Sequence, residues 1–417
     1  MAGEVQLQCT TDKPCYPSTS SMQKVHVLLD VKATTMQTLE RTPINLCMVI
    51  DRSGSMLGAK IDQVKQAVNH VLDQLETDDF MSVVLFNERS LVVLPAQHIQ
   101  DLDQLKARVN GLQAEGGTSM SKGMKDGLTE LIKHAGPTRI SRMILLTDGQ
   151  TWEDESDCRH LASEAKLNEV SITALGIGED WNEALLDAIA RNSTGRADYI
   201  DTPDKIVTLF QEEVQQLQDI AVQGVKMSLR LSKDIQPRQI YRVIPDIIDL
   251  SHTALSDRDI LVDIGTVDKQ NGQTLLIDFM LPSRAPGRYR IAQTELAYTV
   301  PGETPINESV RSDVIIMLSD DESQTQDQDG HVMNIVERVT AYQLQLEARE
   351  AVNTGKLDVA TVKLREAATR LLEMGEAELA AEAEKEAVNL EEQGEMSATG
   401  TKKLQYGTRK LTQRLDG

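Results

Sequence analysis

A run of apolar residues from 44 to 50 ends at the carboxylate of Asp51, and the hydroxyls of Ser53 and Ser55 follow at two-residue spacing. Such a run is typical of a buried strand, and residues 61–75, with apolar side chains at helical spacing, predict a helix after it. In open α/β sheets, ligands gather where strands end and helices begin. Carboxylate and hydroxyl oxygens suit Mg²⁺, Mn²⁺ or Ca²⁺. The stretch therefore predicts either a cation site or a plain strand-to-helix turn capped by Ser55.

Three later segments place further polar groups or turns at the ends of strands and helices. A Gly-Gly break at 116–117 puts Thr118 at the start of a helical stretch, and residues 143–147 form an apolar strand that ends at Asp148. The Gly-Ile-Gly sequence at 176–178 predicts a tight turn before a helix, or alternatively a lining of the same sheet edge. Strands and helices alternate throughout this part of the chain, which predicts an α/β domain with a doubly wound, mostly parallel sheet.

These segments resemble the von Willebrand factor A (VWA) family. Its metal-ion-dependent adhesion site is built from an Asp-x-Ser-x-Ser sequence, a distant Thr and a distant Asp. The resemblance covers residues 42–218 and implies a Rossmann-like fold and a bound Mg²⁺, with Mn²⁺ or Ca²⁺ as alternatives. It also implies that the second Asp acts through a water and that the cation accepts an Asp or Glu of a partner protein. The matching positions in this chain are Asp51, Ser53, Ser55, Thr118 and Asp148.

The resemblance implies a protein-interaction module and not an enzyme. Phosphotransferases that hold Mg²⁺ at a strand-end aspartate need a second carboxylate two residues on, where Ser53 stands here. They also need a base or a phosphate clamp, and no suitable His, Lys or Gly-rich loop stands out in the sequence. A scaffold in which the metal only stiffens loops is the other alternative. Multidomain bacterial VWA proteins often work with AAA+ ATPases of the MoxR type, so an adaptor role beside such an ATPase is a further implication.

The pattern of the chain changes on both sides of this domain. Runs that alternate at period two predict short strands near the start and again after 218. Because the early strands have no place in the α/β sheet, we expect a β-sandwich into which the α/β domain is inserted. An acidic polar stretch predicts a flexible tether to a helical end region. The expected domains are 1–41, first sandwich strands; 42–218, VWA domain; 219–318, remaining sandwich strands; 319–330, acidic linker; and 331–417, C-terminal helical domain.

Composition narrows the range of partners. The formal net charge of −22 argues against nucleic acid or an anionic membrane surface as the main partner. No run approaches the ~20 apolar residues of a membrane span, and the first residues show no export signal, so we expect a cytoplasmic protein. Cys9 and Cys15 would pair only in an oxidising compartment. The identity of the partner, the physiological cation and the oligomeric state stay open.

Overall fold

The computed structural model describes residues 5–18, 21–34, 41–151, 154–250 and 252–413. The chain divides into two compact units. The first unit, which contains the predicted VWA region, comprises Gln37–Gly224 and Thr299–Asn307. The second unit comprises Met1–Met36, Val225–Tyr298 and Glu308–Gly417.

Strands are found in both units. In chain order the described strands are β1 Val5–Thr11, β2 Tyr16–Pro17, β3 Gln23–Ala33, β4 Ile44–Asp51, β5 Phe80–Phe86, β6 Ser90–His98, β7 Ile140–Thr147, β8 Val170–Ile177, β9 Arg196–Ile200, β10 Ile220–Leu231, β11 Gln236–Ile244, β12 Ile248–Asp249, β13 His252–Ala254, β14 Asp259–Asp268, β15 Gln273–Leu281, β16 Gly287–Val300 and β17 Ile306–Ser319.

The described helices follow the predicted alternation and then dominate the end of the chain. They are α1 Ala59–Gln74, α2 Leu102–Asn110, α3 Met120–Ile132, α4 Glu155–Leu167, α5 Glu183–Asn192, α6 Lys205–Gln218, α7 Glu322–Thr325, α8 Gly330–Asn353, α9 Leu357–Glu373, α10 Ala377–Gln393 and α11 Ala398–Arg409.

The sheet of the first unit runs in the order β6-β5-β4-β7-β8-β9. Strand β6 is antiparallel to its neighbour, whereas all the other neighbours are parallel. Every residue of the central strands β4 and β7 is buried, as expected when helices cover both faces of a sheet. Alternate β4 residues such as Met48 share a core cluster with α1, α2 and α6. The predicted doubly wound α/β fold is confirmed.

Helix α3 covers the opposite face of this sheet at unusually close range. A Cβ atom on Gly127 would lie 2.4 Å from Val49 Cγ2, and one on Gly123 would lie 2.7 Å from Phe86 Cδ1. These glycines are four residues apart, so they share one face of the helix. Because neither carries a side chain, α3 lies directly on β4 and β5, and its N-terminus, which follows Thr118, is held against the end of the sheet.

The second unit contains two further sheets. One has the order β1-β3-β15-β11-β12 and the other β13-β14-β10-β16-β17-β2. Strand β3 pairs with β15 in an antiparallel register that sets Val27 opposite Ile277 and Leu29 opposite Leu275. The early strands therefore find their partner beyond residue 218. That both sheets form one β-sandwich interrupted by the α/β domain stays a prediction.

The C-terminal helices pack on the first of these two sheets. Leu28, Tyr241 and Leu276 share a hydrophobic cluster with apolar residues of α8, including Ile335 and Val339. The Gln343 side-chain amide of α8 also donates a hydrogen bond to the Tyr241 hydroxyl, at 2.9 Å. Contacts between α8 and α9 and between α9 and α10 continue the bundle. The predicted helical region thus forms a layer of the second unit.

The tether expected over 319–330 contains regular structure. Strand β17 extends to Ser319, the next residues include the single turn α7, and Asp329 caps α8 by accepting hydrogen bonds from the backbone amides of His331 and Val332. The backbone amide of Asp329 donates to the carbonyl of Asp12 at 2.8 Å. Composition alone missed this because the capping aspartates are the same residues that make the stretch look like a solvated acidic run.

Two further expectations concern membrane-spanning helices and a disulfide bond. Among the described helices, none combines the length and the apolarity that a membrane span needs. Cys9 and Cys15 carry free thiols and are not joined to each other.

Candidate metal centre

Two carboxylates lie side by side at one edge of the α/β sheet. Asp51 is the last residue of β4, and Asp148 directly follows β7. These strands are parallel neighbours, with Ile50 opposite Leu146 in the register. Because both strands end at the same edge, residues far apart in sequence are brought together there.

Both oxygens of Asp51 accept hydrogen bonds. The backbone amide of Ser53 donates to Oδ1 at 2.8 Å, and the hydroxyl of Thr147 donates to Oδ2 at 2.7 Å. The side chain is buried. Burial raises the pKa of Asp51 to about 6, with the charge of Asp148 adding to the rise and the hydrogen bonds from Thr147 and Ser53 opposing it. This carboxylate is therefore fixed in direction and poorly solvated.

The two serine hydroxyls connect the carboxylates. Ser53 Oγ and Ser55 Oγ are hydrogen-bonded at 3.0 Å, and Ser55 Oγ donates to Asp148 Oδ1 at 2.7 Å. Ser55 lies in a 3₁₀ turn, Gly54–Met56, and its side chain does not cap a helix. The helix-cap alternative for Ser55 is therefore wrong. Its hydroxyl bonds to a neighbouring carboxylate because the tight turn directs it towards the sheet edge instead of along the helix.

Thr118 reaches the same edge through a loop held by backbone hydrogen bonds. The amide of Gly54 donates to the carbonyl of Gly116 at 3.0 Å, and Gly116 has φ +82°, which a residue with a side chain rarely adopts. Thr118 Oγ1 lies 3.8 Å from the position that a Cβ on Gly149 would take. The structure thus places all the sequence-predicted residues, Asp51, Ser53, Ser55, Thr118 and Asp148, at one edge of the sheet.

Two side chains that the sequence analysis did not identify bind the N-terminus of α3, which directly follows the Thr118 loop. The Asp154 carboxylate accepts a hydrogen bond from the backbone amide of Ser121 at 2.8 Å, and the Thr151 hydroxyl accepts one from the amide of Met120 at 3.1 Å. They cap α3 in place of Ser119, whose own side chain makes no cap. An N-cap residue normally lies directly before its helix in the sequence. A cap supplied from more than 30 residues away therefore cannot be recognised from the sequence around the helix start.

A lysine that was also missed lies within the cluster. Lys60 Nζ is 2.5 Å from Asp148 Oδ2, so Asp148 bonds to a serine through one oxygen and to an ammonium through the other. Lys60 lies in the first turn of α1. Its only sequence signal is its position, a few residues after the Asp-x-Ser-x-Ser stretch.

The turn at 176–178 satisfies both of its predicted roles. Trp181 packs against Gly176 and donates from Nε1 to the carbonyl of Gly178 at 2.8 Å, while Asn182 caps α5. A Cβ on Gly178 would lie 4.0 Å from Lys60 Nζ. The segment is therefore a tight turn before a helix, and it also lies beside the polar cluster.

The donor set suits a small, hard cation. It consists of two carboxylates and three hydroxyls, which are the oxygen ligands of Mg²⁺ or Mn²⁺ and not the nitrogen and sulfur ligands of zinc sites. No group of three or more His, Cys, Asp or Glu side chains that could hold a metal is found in the described ranges. The buried carboxylate of Asp51 fits a cation, because a charge removed from water needs a partner of opposite sign.

Comparison with known proteins identifies two parts of the chain. The model of the von Willebrand factor type A domain matches residues 45–216, which lie within the first unit described above. Residues 45–216 form a VWA domain. A second model, the Sll0103-like, C-terminal alpha-helical domain, matches residues 330–414. A VWA domain is a known protein-interaction module.

One relative matches a stretch longer than the VWA domain, and another matches a stretch of about its length. An uncharacterised protein, sll0103, of Synechocystis is 30% identical over 274 residues, which is 64% of this chain and 64% of that protein. Inter-alpha-trypsin inhibitor heavy chain H4 of Bos taurus is 30% identical over 174 residues, 38% of this chain and 19% of its own. The chain spans less than two thirds of the length of these curated relatives.

A solved structure shares the fold of nearly the whole chain. The von Willebrand factor type A protein from Catenulispora acidiphila has a TM-score of 0.81 at 20% sequence identity, covering 98% of this chain and 96% of its own. At this identity the likeness concerns the fold alone. It extends over the described sheets and helices on both sides of the VWA domain.

Proposed function

We propose that the VWA domain binds one divalent cation and that this cation docks an Asp or Glu side chain of a partner protein. The observation that carries the proposal is the set of hydrogen bonds that links Asp51 through Ser53 and Ser55 to Asp148 at adjacent strand ends. Mg²⁺ is the expected cation, with Mn²⁺ or Ca²⁺ as substitutes, because all the donors are hard oxygens. The proposed ligands are Asp51, Ser53, Ser55, Thr118 and Asp148.

The residues of the chain hold the site ready for a cation. The amide of Ser53 and the hydroxyl of Thr147 fix both oxygens of Asp51, so this carboxylate needs little rearrangement to bind. The cation would supply a Lewis-acidic centre for an incoming carboxylate. Two carboxylates and neutral hydroxyls do not fill an octahedral shell with charged ligands, and such a cation keeps some water ligands. One of these positions is where we expect the partner's carboxylate to bind.

Two alternative functions make different demands on the same residues. In a scaffold the cation would only stiffen loops, and partner binding would persist in a chelator. A phosphotransferase would use Asp51 as its nucleophile, but Ser53 stands where such an enzyme has its second carboxylate. An AAA+ ATPase partner and a cytoplasmic location stay predictions drawn from the resemblance and from the sequence.

We further propose that the two sheets of the second unit form one β-sandwich interrupted by the VWA domain. Val25, Val27 and Val31 alternate with Leu28 along β3, and Leu28 faces the C-terminal helices. These valines are fully buried on the opposite face of β3, which a second layer must therefore cover. The Cys9 thiol donates a weak hydrogen bond to Ser312 Oγ at 3.5 Å, and this bond joins β1 of one sheet to β17 of the other.

The test of the cation site compares the whole protein with one variant. Titration calorimetry with Mg²⁺ and with Mn²⁺ should show one binding site in the wild type and none in Asp51→Ala. Asp73→Ala is the matched control, because Asp73 lies on α1 of the same domain with its side chain 49% exposed. Equal heats from the wild type and Asp51→Ala would refute the cation site. Loss of partner capture in chelator would support docking, whereas undiminished capture would favour the scaffold.

A further inference from the structure

Asp148 already has a positive counter-charge from the chain itself. Its Oδ2 lies 2.5 Å from Lys60 Nζ, and its Oδ1 accepts the hydroxyl of Ser55. The carboxylate is buried, whereas the Lys60 side chain is 28% exposed. The ammonium therefore neutralises a carboxylate that has almost no contact with water.

The position of Lys60 is unfavourable by local rules. It lies in the first turn of α1, where the helix dipole disfavours a positive charge. The chain enters this helix through Gly58, whose φ of +82° and ψ of −132° are accessible mainly to glycine. The ion pair with Asp148 opposes this unfavourable interaction with the dipole. Local rules are most often broken at functional sites.

We propose that Lys60 is a built-in counter-cation that weakens cation binding and, in return, leaves the loaded site positive for an acidic ligand. This inference rests on the cation site proposed above. Asp51, Asp148 and Lys60 together carry a charge of −1, so a bound divalent cation brings the cluster to +1. Without the ammonium the empty cluster would carry −2 and the loaded cluster would be neutral. A ligand carboxylate is attracted to the positive cluster and gains less from the neutral one.

The charge argument predicts opposite effects on two affinities. Replacing Lys60 by Met keeps the length of the side chain and removes its charge. Mn²⁺ should then bind at least about tenfold more tightly, because the repulsion between the ammonium and the cation disappears. Acetate, as a probe for an acidic side chain, should bind the Mn²⁺-loaded variant at least about threefold more weakly. A residue that merely positions Asp148 would instead weaken Mn²⁺ binding when it is replaced.

The experiment measures Mn²⁺ affinity by the electron paramagnetic resonance signal of free Mn²⁺. Acetate binding follows from the water-proton relaxation of the loaded protein. Lys106→Met is the matched control, because Lys106 pairs with Asp73 near the other end of α1 and its side chain is 29% exposed. This variant should leave both affinities unchanged. Lys60→Arg keeps the charge and should stay close to the wild type.

Each outcome separates this inference from the proposed function. Tighter Mn²⁺ binding together with weaker acetate binding in Lys60→Met supports the counter-cation. If the wild type binds Mn²⁺ through Asp51 but Lys60→Met binds it equally or more weakly, the counter-cation is refuted and the cation site stands. If neither protein binds millimolar Mn²⁺, both proposals fail. If Lys60→Met binds Mn²⁺ more tightly but binds acetate equally or more tightly than the wild type, the proposed gain in affinity for an acidic ligand is refuted.

Discussion

Replacing Gly127 by Ala tests whether close contact between α3 and the sheet holds the VWA domain together. A Cβ at this position would lie 2.4 Å from Val49 Cγ2, against an optimum of about 3.5 Å, so α3 must retreat by roughly 1 Å. Overpacking of this kind costs roughly 2–3 kcal/mol, whereas Ala gains about 1 kcal/mol over Gly in a helix interior. We therefore expect a net loss of roughly 1–2 kcal/mol in the free energy of unfolding.

Tryptophan fluorescence in urea is a selective assay for this loss. Both tryptophans of the chain, at positions 152 and 181, belong to the VWA domain, so the signal follows this domain and not the second unit. Thr129→Ala, at an exposed position of α3, is the matched control and should be neutral or slightly stabilising. Val49→Ala has its own cost because Val49 is fully buried, but combined with Gly127→Ala the two losses should be less than additive, with a coupling free energy of about 1 kcal/mol or more. A Gly127→Ala variant that is about 1 kcal/mol more stable than the wild type would refute the packing argument.

Two further predictions concern the second unit. Burial raises the pKa of Asp278, but hydrogen bonds and charge from His26 and Lys24 outweigh it and hold the pKa below its usual 3.8. Because the folded-state pKa is lowered, the stabilisation is complete above about pH 4 and is lost as the pH falls through the folded-state pKa. Asp278→Asn should therefore cost roughly 1–3 kcal/mol at pH 7 and less at pH 3, by thermal unfolding, and an equal cost at both pH values would contradict this. Deleting residues 1–38 removes β3 from beside β15, so 219–317 should become protease-sensitive while 42–218 resists digestion; resistance throughout would contradict the interrupted sandwich.

The sequence was most informative where one local pattern decides the structure. The apolar run before Asp51 predicts a buried strand, and the glycines at 355, 375 and 394, with φ of +73°, +80° and +77°, end helices as expected. The placement of Asp51 and Asp148 at one edge follows from the parallel order of β4 and β7, which strands alternating with helices predict. In each case the information lies within a few residues of the feature.

What the sequence did not predict depends on contacts between distant segments. Thr147 bonds to Asp51 across 96 residues and Lys60 to Asp148 across 88. The hydroxyl of Thr147 lies in an apolar strand, where threonine is an ordinary residue with no functional signal. The capping role of Asp329, within the expected tether over 319–330, was not predicted either, because the same side chain in a polar run also fits a solvated linker.

Several features of the candidate site lower the stability of the fold, and this explains why the site lies at the end of a well-packed sheet. Asp51 is a buried carboxylate, Lys60 is a cation at a helix N-terminus, and Gly58 and Gly116 adopt φ values near +80°. None of these choices stabilises a folded chain by itself. Stability must come from elsewhere, and the fully buried central strands β4 and β7 with α1 and α3 against them provide it directly beneath the site. A rigid sheet end can therefore hold partly satisfied charges that a cation and an acidic ligand would complete. If added Mn²⁺ raises the urea stability of Lys60→Met more than it raises that of the wild type, the charge balance, and not the backbone, limits how tightly this edge binds its cation.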